Sequence, residues 1–130
     1  MLDTVWRLGE KDFDVDAFLV KFGLKELAVV FHEGEKRGQS KVQDSGFNIL
    51  ISENINSLEN INDINQFMAK HKEAFDYLAK LNIHSVLDIG CTVASNQFTK
   101  SVNISSKLLG ALSLLNVSLE LSVYPAPVDE

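Results

Sequence analysis

Along this chain the spacing of apolar residues shifts from two to three or four and back again, and each shift marks an element. Residues 4–8, Thr-Val-Trp-Arg-Leu, read as a first strand. Asp14 then caps a helix reaching to about Phe22, where Gly23 is free to take the left-handed conformation that ends it. A second strand is predicted over residues 27–32. The polar, glycine-bearing stretch 33–45 is a loop, and the largely apolar stretch 47–51 is an internal third strand. Residues 27–51 therefore make a long-looped hairpin.

Between Asn62 and Leu81 the positions Ile64, Phe67, Met68, His71, Phe75, Leu78 and Leu81 recur at three- and four-residue steps, which predicts one amphipathic helix. It would be about 30 Å long from the rise of an α-helix. Asn82 stops it, residues 86–93 form a fourth strand, 104–115 a third helix ending at Asn116, and 117–124 a cleanly alternating fifth strand. Pro125 and Pro127 close the sheet and begin a short acidic tail over residues 125–130. Residues 13–20 also align with 102–109: an apolar staple, an Asx cap at Asp14 or Asn103, a branched residue and a paired apolar face. Helix-end physics alone produces such a pattern; the alternative is a degenerate duplication of a β-α-β unit. With either origin, the order β-α-β-β-α-β-α-β predicts an α+β fold, a mainly antiparallel sheet with helices packed on one face, as a single domain over residues 1–130.

Composition then removes whole classes of function. A chain of 130 residues, 45% hydrophobic and 23% charged, can bury a core without staples and is neither disordered nor fibrous. Twelve Lys and Arg against eighteen Asp and Glu leave a net charge of −6, and neither half of the chain is basic. Duplex binding needs a cationic footprint, and only Arg7 and Arg37 can form the fork that reads guanine or clamps phosphate, so no nucleic-acid partner is expected. The charge favours a cationic protein partner instead. Cys91, the single cysteine, sits among apolar residues, which predicts a buried thiol and a reducing compartment. Residues 1–10 hold no apolar leader, and the longest nearly apolar run, 108–115, falls far short of the ~20 residues of a membrane span. The expected location is cytoplasmic, with no membrane partner.

Candidate chemistry is sparse. Asp12, Asp14 and Asp16 spell D-x-D-x-D, but a calcium loop needs Gly at its sixth position and Glu at its twelfth, where this chain has Ala17 and Gly23. Acids at a helix start follow from capping and the helix dipole. His32, His71 and His84 share no metal spacing, so neither a metal nor a cofactor is implied. His71 lies on the apolar stripe of the long helix, where a hydrogen-bonded histidine at the core edge is more common than a ligand. Asp88, in Leu-Asp-Ile-Gly, is the most telling acid, because a carboxylate inside an apolar strand must be paired, hydrogen-bonded or shifted in pKa. Strand alternation could equally place it on a solvated face; His84 and Cys91 are its nearest candidate companions. No nucleophile elbow and no phosphate-cradling glycine loop is present, which makes an enzyme the weaker class. Trp6 reads as core. The Asn-rich stretch 53–65 is a low-complexity connector or, with branched apolar residues between its acids and amides, a partner-binding surface. The mixed-charge loop 33–41 is a weaker second surface.

The phrases Val5-Trp6-Arg7-Leu8, Phe13-Asp14-Val15-Asp16-Ala17-Phe18-Leu19, Ser45-Gly46-Phe47-Asn48, Leu87-Asp88-Ile89-Gly90 and Leu119-Glu120-Leu121-Ser122-Val123-Tyr124-Pro125 occur in the order of a family of short bacterial proteins catalogued as a domain of unknown function. The chain resembles that family nearly end to end. Its motifs are strands, caps and turns, so the resemblance implies a fold and carries over no catalytic residue. Bacterial families of this size and charge are often similar to immunity proteins, which neutralise a toxin by binding it. The resemblance therefore implies a non-catalytic cytosolic binding protein; the net negative charge, which suits a cationic toxin, makes Glu53, Glu59 and Asp63 the first expected contacts and Asp12 and Asp16 the second. A small ligand-binding domain or enzyme centred on Asp88 is one alternative. A self-associating structural module, monomer or homodimer in solution, is the other.

Overall fold

The computed structural model describes residues 1–97 and 99–126. Pro127 and the acid residues expected after it lie outside the described residues. Among the described residues the chain is an α+β fold, with a five-stranded, mainly antiparallel sheet and four α-helices. In chain order these are β1 (Leu2–Glu10), α1 (Val15–Lys21), β2 (Ala28–Phe31), the two-residue strands β3 (Lys36–Arg37) and β4 (Ser40–Lys41), β5 (Ser45–Asn54), α2 (Ser57–Lys70), α3 (Lys72–Lys80), β6 (Ser85–Val93), α4 (Ser106–Leu114) and β7 (Val117–Pro125). The sheet runs β2-β5-β1-β6-β7. Every neighbouring pair is antiparallel except β6 and β7, which are parallel and joined through α4.

Two-residue alternation gives the sheet its two faces. Leu2, Thr4, Trp6 and Leu8 of β1 are buried under the helices, beside Phe47 and Ile49 of β5 and Ser85, Leu87, Ile89 and Cys91 of β6. Trp6 holds the centre of this layer: it stacks on Phe75 of α3 at 4.0 Å, meets Phe47 edge-on at 4.9 Å and donates its indole N–H to Ser85 Oγ at 3.0 Å. Phe18 of α1 stacks on Phe47 at 5.7 Å. Burying a side chain of this kind stabilises the fold by roughly 2 kcal/mol. Gly46 permits the close approach of β5 to β1, since a Cβ there would stand 1.8 Å from the Leu8 carbonyl oxygen.

The β1–β5 ladder has one bulge. Thr4 faces Ser52 and Val5 faces Leu50, so Ile51 is the extra residue. The bulge turns Ser52 onto the helix side, where it meets α2.

Several local features follow the sequence. Asp14 caps α1 by accepting from the Ala17 amide at 3.1 Å, and Gly23, Asn82 and Asn116 adopt left-handed φ values of 66°, 56° and 58° where helices end. Others differ. The single helix expected from Asn62 to Leu81 is two helices that meet at His71, whose φ of −111° and ψ of 29° leave the helical region. Apolar spacing continues across the break because only one residue interrupts it. The helix pair also begins at Ser57, not Asn62, because Asn56 accepts from the Glu59 amide at 2.9 Å and caps α2 there. The loop 33–45 contains the small β3–β4 hairpin. Helix α4 is capped by Ser105, which accepts from the Leu108 amide at 3.1 Å, and not by Asn103. It therefore starts two residues later than the alignment with α1 requires.

Candidate functional site

The open face of the sheet carries the polar row that the sequence pointed to at Asp88. Alternation puts Arg7, Asp88, Glu120 and Ser122 on this face, from three adjacent strands. Arg7 Nη2 lies 3.0 Å from Asp88 Oδ2 and 2.8 Å from Glu120 Oε2, and Ser122 Oγ donates to Asp88 Oδ1 at 2.8 Å. Both oxygens of Asp88 are thus engaged by the protein itself, which is what a carboxylate with only 15% of its side chain exposed requires. His84 shares the face but is hydrogen-bonded to Ser118 Oγ at 2.6 Å. Cys91 is buried on the opposite, helix-covered face. The sheet thus separates the thiol from Asp88, and the three residues form no common site.

Two of the five candidate partner contacts, Asp16 and Asp63, have their carboxylates engaged inside the fold, and Asp12 has a backbone role. Asp12 occupies the left-handed turn between β1 and α1, with φ of 60°, a conformation that aspartate tolerates better than most residues. Asp16 lies 2.8 Å from His32 Nε2, while His32 Nδ1 lies 2.6 Å from Glu35 Oε1. Hydrogen bonds first to Asp16 and then to Glu35 raise the His32 pKa above its ordinary value. This cluster ties the end of β2 to α1. Asp63 accepts from Ser52 Oγ at 2.7 Å and from the Asn54 amide, fixing α2 to the bulged end of β5.

The asparagine-rich stretch is likewise not a connector. Asn54 bonds Asp63, Asn56 caps α2, and the buried Asn60 accepts from Thr4 Oγ1 at 2.9 Å. With those residues engaged, Glu53, Ile55, Leu58 and Glu59 are left on the outside. Ile55 is 80% and Leu58 70% exposed, and neither glutamate side chain has a hydrogen bond or ion pair among the described residues. Ile55 also borders a groove lined by Met1, Thr92, Ala94 and Lys100, at the end of the sheet where β1 begins and β6 ends.

His71, expected at the core edge, stands at the joint of α2 and α3 with its ring 4.5 Å from Phe67. Partial burial, followed by the nearby Lys70, lowers its pKa. Sequence reasoning did not single out Glu120 and Ser122 as partners of Arg7 and Asp88; their only signal was the alternation of the last strand. No protein family, curated protein or solved structure matches this chain. Among the described residues no helix is long and apolar enough to cross a membrane.

Proposed function

We propose that this chain is a non-catalytic protein-binding domain that holds a cationic partner against the surface formed by Glu53, Ile55, Leu58 and Glu59. The observation that carries the reading is a pair of large apolar side chains around the start of α2, 80% and 70% exposed, with Glu53 and Glu59, exposed and unpaired among the described residues, within two positions of them along the chain. Apolar anchors supply contact area, and acids around them steer a basic partner to that area. Asp63 and Asp16 are left out of the contact set because their carboxylates are engaged within the fold, and Asp12 because it follows the far end of β1 from Glu53. The most concrete form of the reading is an immunity protein that blocks a bacterial toxin domain. A nuclease toxin is cationic because its substrate is anionic, and a −6 inhibitor can occupy that site by resembling the substrate electrostatically.

The test is capture of partners from host lysate by the tagged chain, at low and high salt, alongside a variant carrying Glu53→Lys and Glu59→Lys. A stoichiometric basic partner should bind the native chain, leave at high salt, and associate about tenfold more slowly with the variant at low salt. An unchanged association rate, or no stoichiometric partner, overturns the reading.

A further inference from the structure

The outer rim of β7 is the longest unpaired strand edge among the described residues. β7 pairs with β6 along one side and with no other strand. Natural edges are blunted by brevity, lysine, proline, bulges or an inward charge. The opposite edge strand, β2, has four residues. β7 has nine, with no Lys or Arg and a proline only at the last position, Pro125. Its single charge, Glu120, lies on the open face and is held by Arg7.

The helix side of β7 is apolar and increasingly bare along its length. Val117 is buried, whereas Leu121 is 53% and Val123 67% exposed. Leu109 of α4 is exposed as well. Helical spacing puts it on the side of α4 opposite Ala111 and Leu114, which line the groove against α3. Leu109, Leu121 and Val123 therefore make an apolar strip along this rim.

We infer that β7 pairs with β7 of a second copy, antiparallel and about a two-fold axis at Leu121, joining two sheets into one. The strand's own sequence selects this register. Leu121 is the midpoint of Val117–Pro125, so pairing about it spans the strand, with only Pro125 at each end unable to donate to the ladder. It sets Leu121 opposite its mate, Leu119 opposite Val123 and Val117 opposite Pro125 on the helix side. On the open side Glu120 faces Ser122 and Ser118 faces Tyr124. Apolar residues meet apolar ones and no like charges face each other. Centring the axis one residue earlier would place Glu120 against its own mate. An unrelated strand has no reason to satisfy this pattern, whereas a second copy satisfies it by symmetry.

This inference does not rest on the partner surface at residues 53–59, and salt separates the two. Copies carrying −6 each repel, and screening relieves that repulsion, so self-association should tighten as salt rises. Capture of a cationic partner should loosen.

The experiment is the solution mass of the full chain from micromolar to submillimolar concentration, at low and high salt. Native protein should pass from monomer to dimer. Leu121→Lys should lose the dimer while keeping its far-UV circular dichroism, because the native side chain is half exposed; Val123→Lys serves as a second such variant. The register is read separately by cysteine trapping. Leu121→Cys would face its mate across adjacent antiparallel strands and should give a disulfide-linked dimer under mild oxidation. Ser118→Cys would stand about 20 Å from its mate and should not. Native protein that stays monomeric, a dimer that both lysine variants leave intact, or equal trapping of the two cysteines overturns the inference.

Discussion

The two flanks of the sheet are finished in opposite ways. On the β2 flank the edge strand is short, Phe13, Phe18, Phe22 and Tyr77 form a chain of ring contacts that reaches Phe47 of the neighbouring β5, and His32 is clamped between Asp16 and Glu35. On the β7 flank the edge strand is long, its polar residues face inward to Arg7, Asp88 and His84, and its apolar residues run out from under the helix layer. One flank is short and pinned by a side-chain cluster at its end, although Val29 on it is 67% exposed. The other is tied firmly to its neighbour strand and left open outward. A strand can therefore be held strongly on one side and still offer its other side to a partner, because ladder bonds and polar anchors act only toward β6.

Two glycines give the sharpest way to break this contrast. At Gly46, near β2, an added Cβ meets backbone 1.8 Å away; at Gly90, beside β7, it meets the Asp3 carboxylate oxygen at 2.1 Å. Backbone cannot yield, whereas an exposed aspartate can rotate aside. Gly46→Ala should therefore cost about 3 kcal/mol in urea unfolding, and Gly90→Ala under about 1 kcal/mol. Equal costs would mean that the β7 flank is as tightly built as the β2 flank.

A smaller effect is expected at the polar row. Asp88→Asn keeps an oxygen for Ser122 and loses the ion pair with Arg7, whose side chain is partly exposed, so stability should fall by about 1 kcal/mol. The variant should stay folded, with the amides of β6 and β7 exchanging faster than those of β2. A large loss that reached β2 equally would show that the row supports the whole sheet.

The smallest effect is the pH response of the two flanks. The His32 pKa is raised in the fold, so protonated His32 favours folding, and this contribution is present below the ordinary histidine pKa and lost as pH rises through the raised value. His71 has the opposite sign: its pKa is lowered, so its contribution is lost as pH falls below the ordinary value. NMR titration of His32 should therefore show a raised midpoint that drops in Asp16→Asn. With the intrinsic rise of exchange with pH divided out, amide protection should fall in β2 above that midpoint and stay unchanged in β7. A matching response in β7 would contradict the separation of the flanks.

Much of the scaffold was legible from local chemistry. Asp14 as a cap, Gly23, Asn82 and Asn116 as left-handed ends, Trp6 as core and the alternation of the last strand each depend on residues within a few positions. The break at His71 was not legible, because the apolar stripe keeps its phase across a single non-helical residue. The start of α4 was misplaced for a related reason: Asn103 and Ser105 are both competent caps, and the surrounding fold selects Ser105. Among the candidate acids, Asp16 and Asp63 look as free in the sequence as Glu53 and Glu59. They are engaged by His32, Ser52 and Asn54, which come from other elements.

The sequence by itself determined the five sheet strands, the Asp14 cap, the left-handed helix ends and Trp6 as core, since these follow from side-chain periodicity and backbone preference over short windows. Tertiary structure alone decided that β6 and β7 run parallel, that a bulge at Ile51 aims Ser52 at Asp63, and that the sheet stands between Asp88 and Cys91. It also decided which side chains remain outside: Ile55 and Leu58 at one end, Leu121 and Val123 along one rim. Exposure depends on what the rest of the chain happens to cover, and no local pattern of residues encodes that.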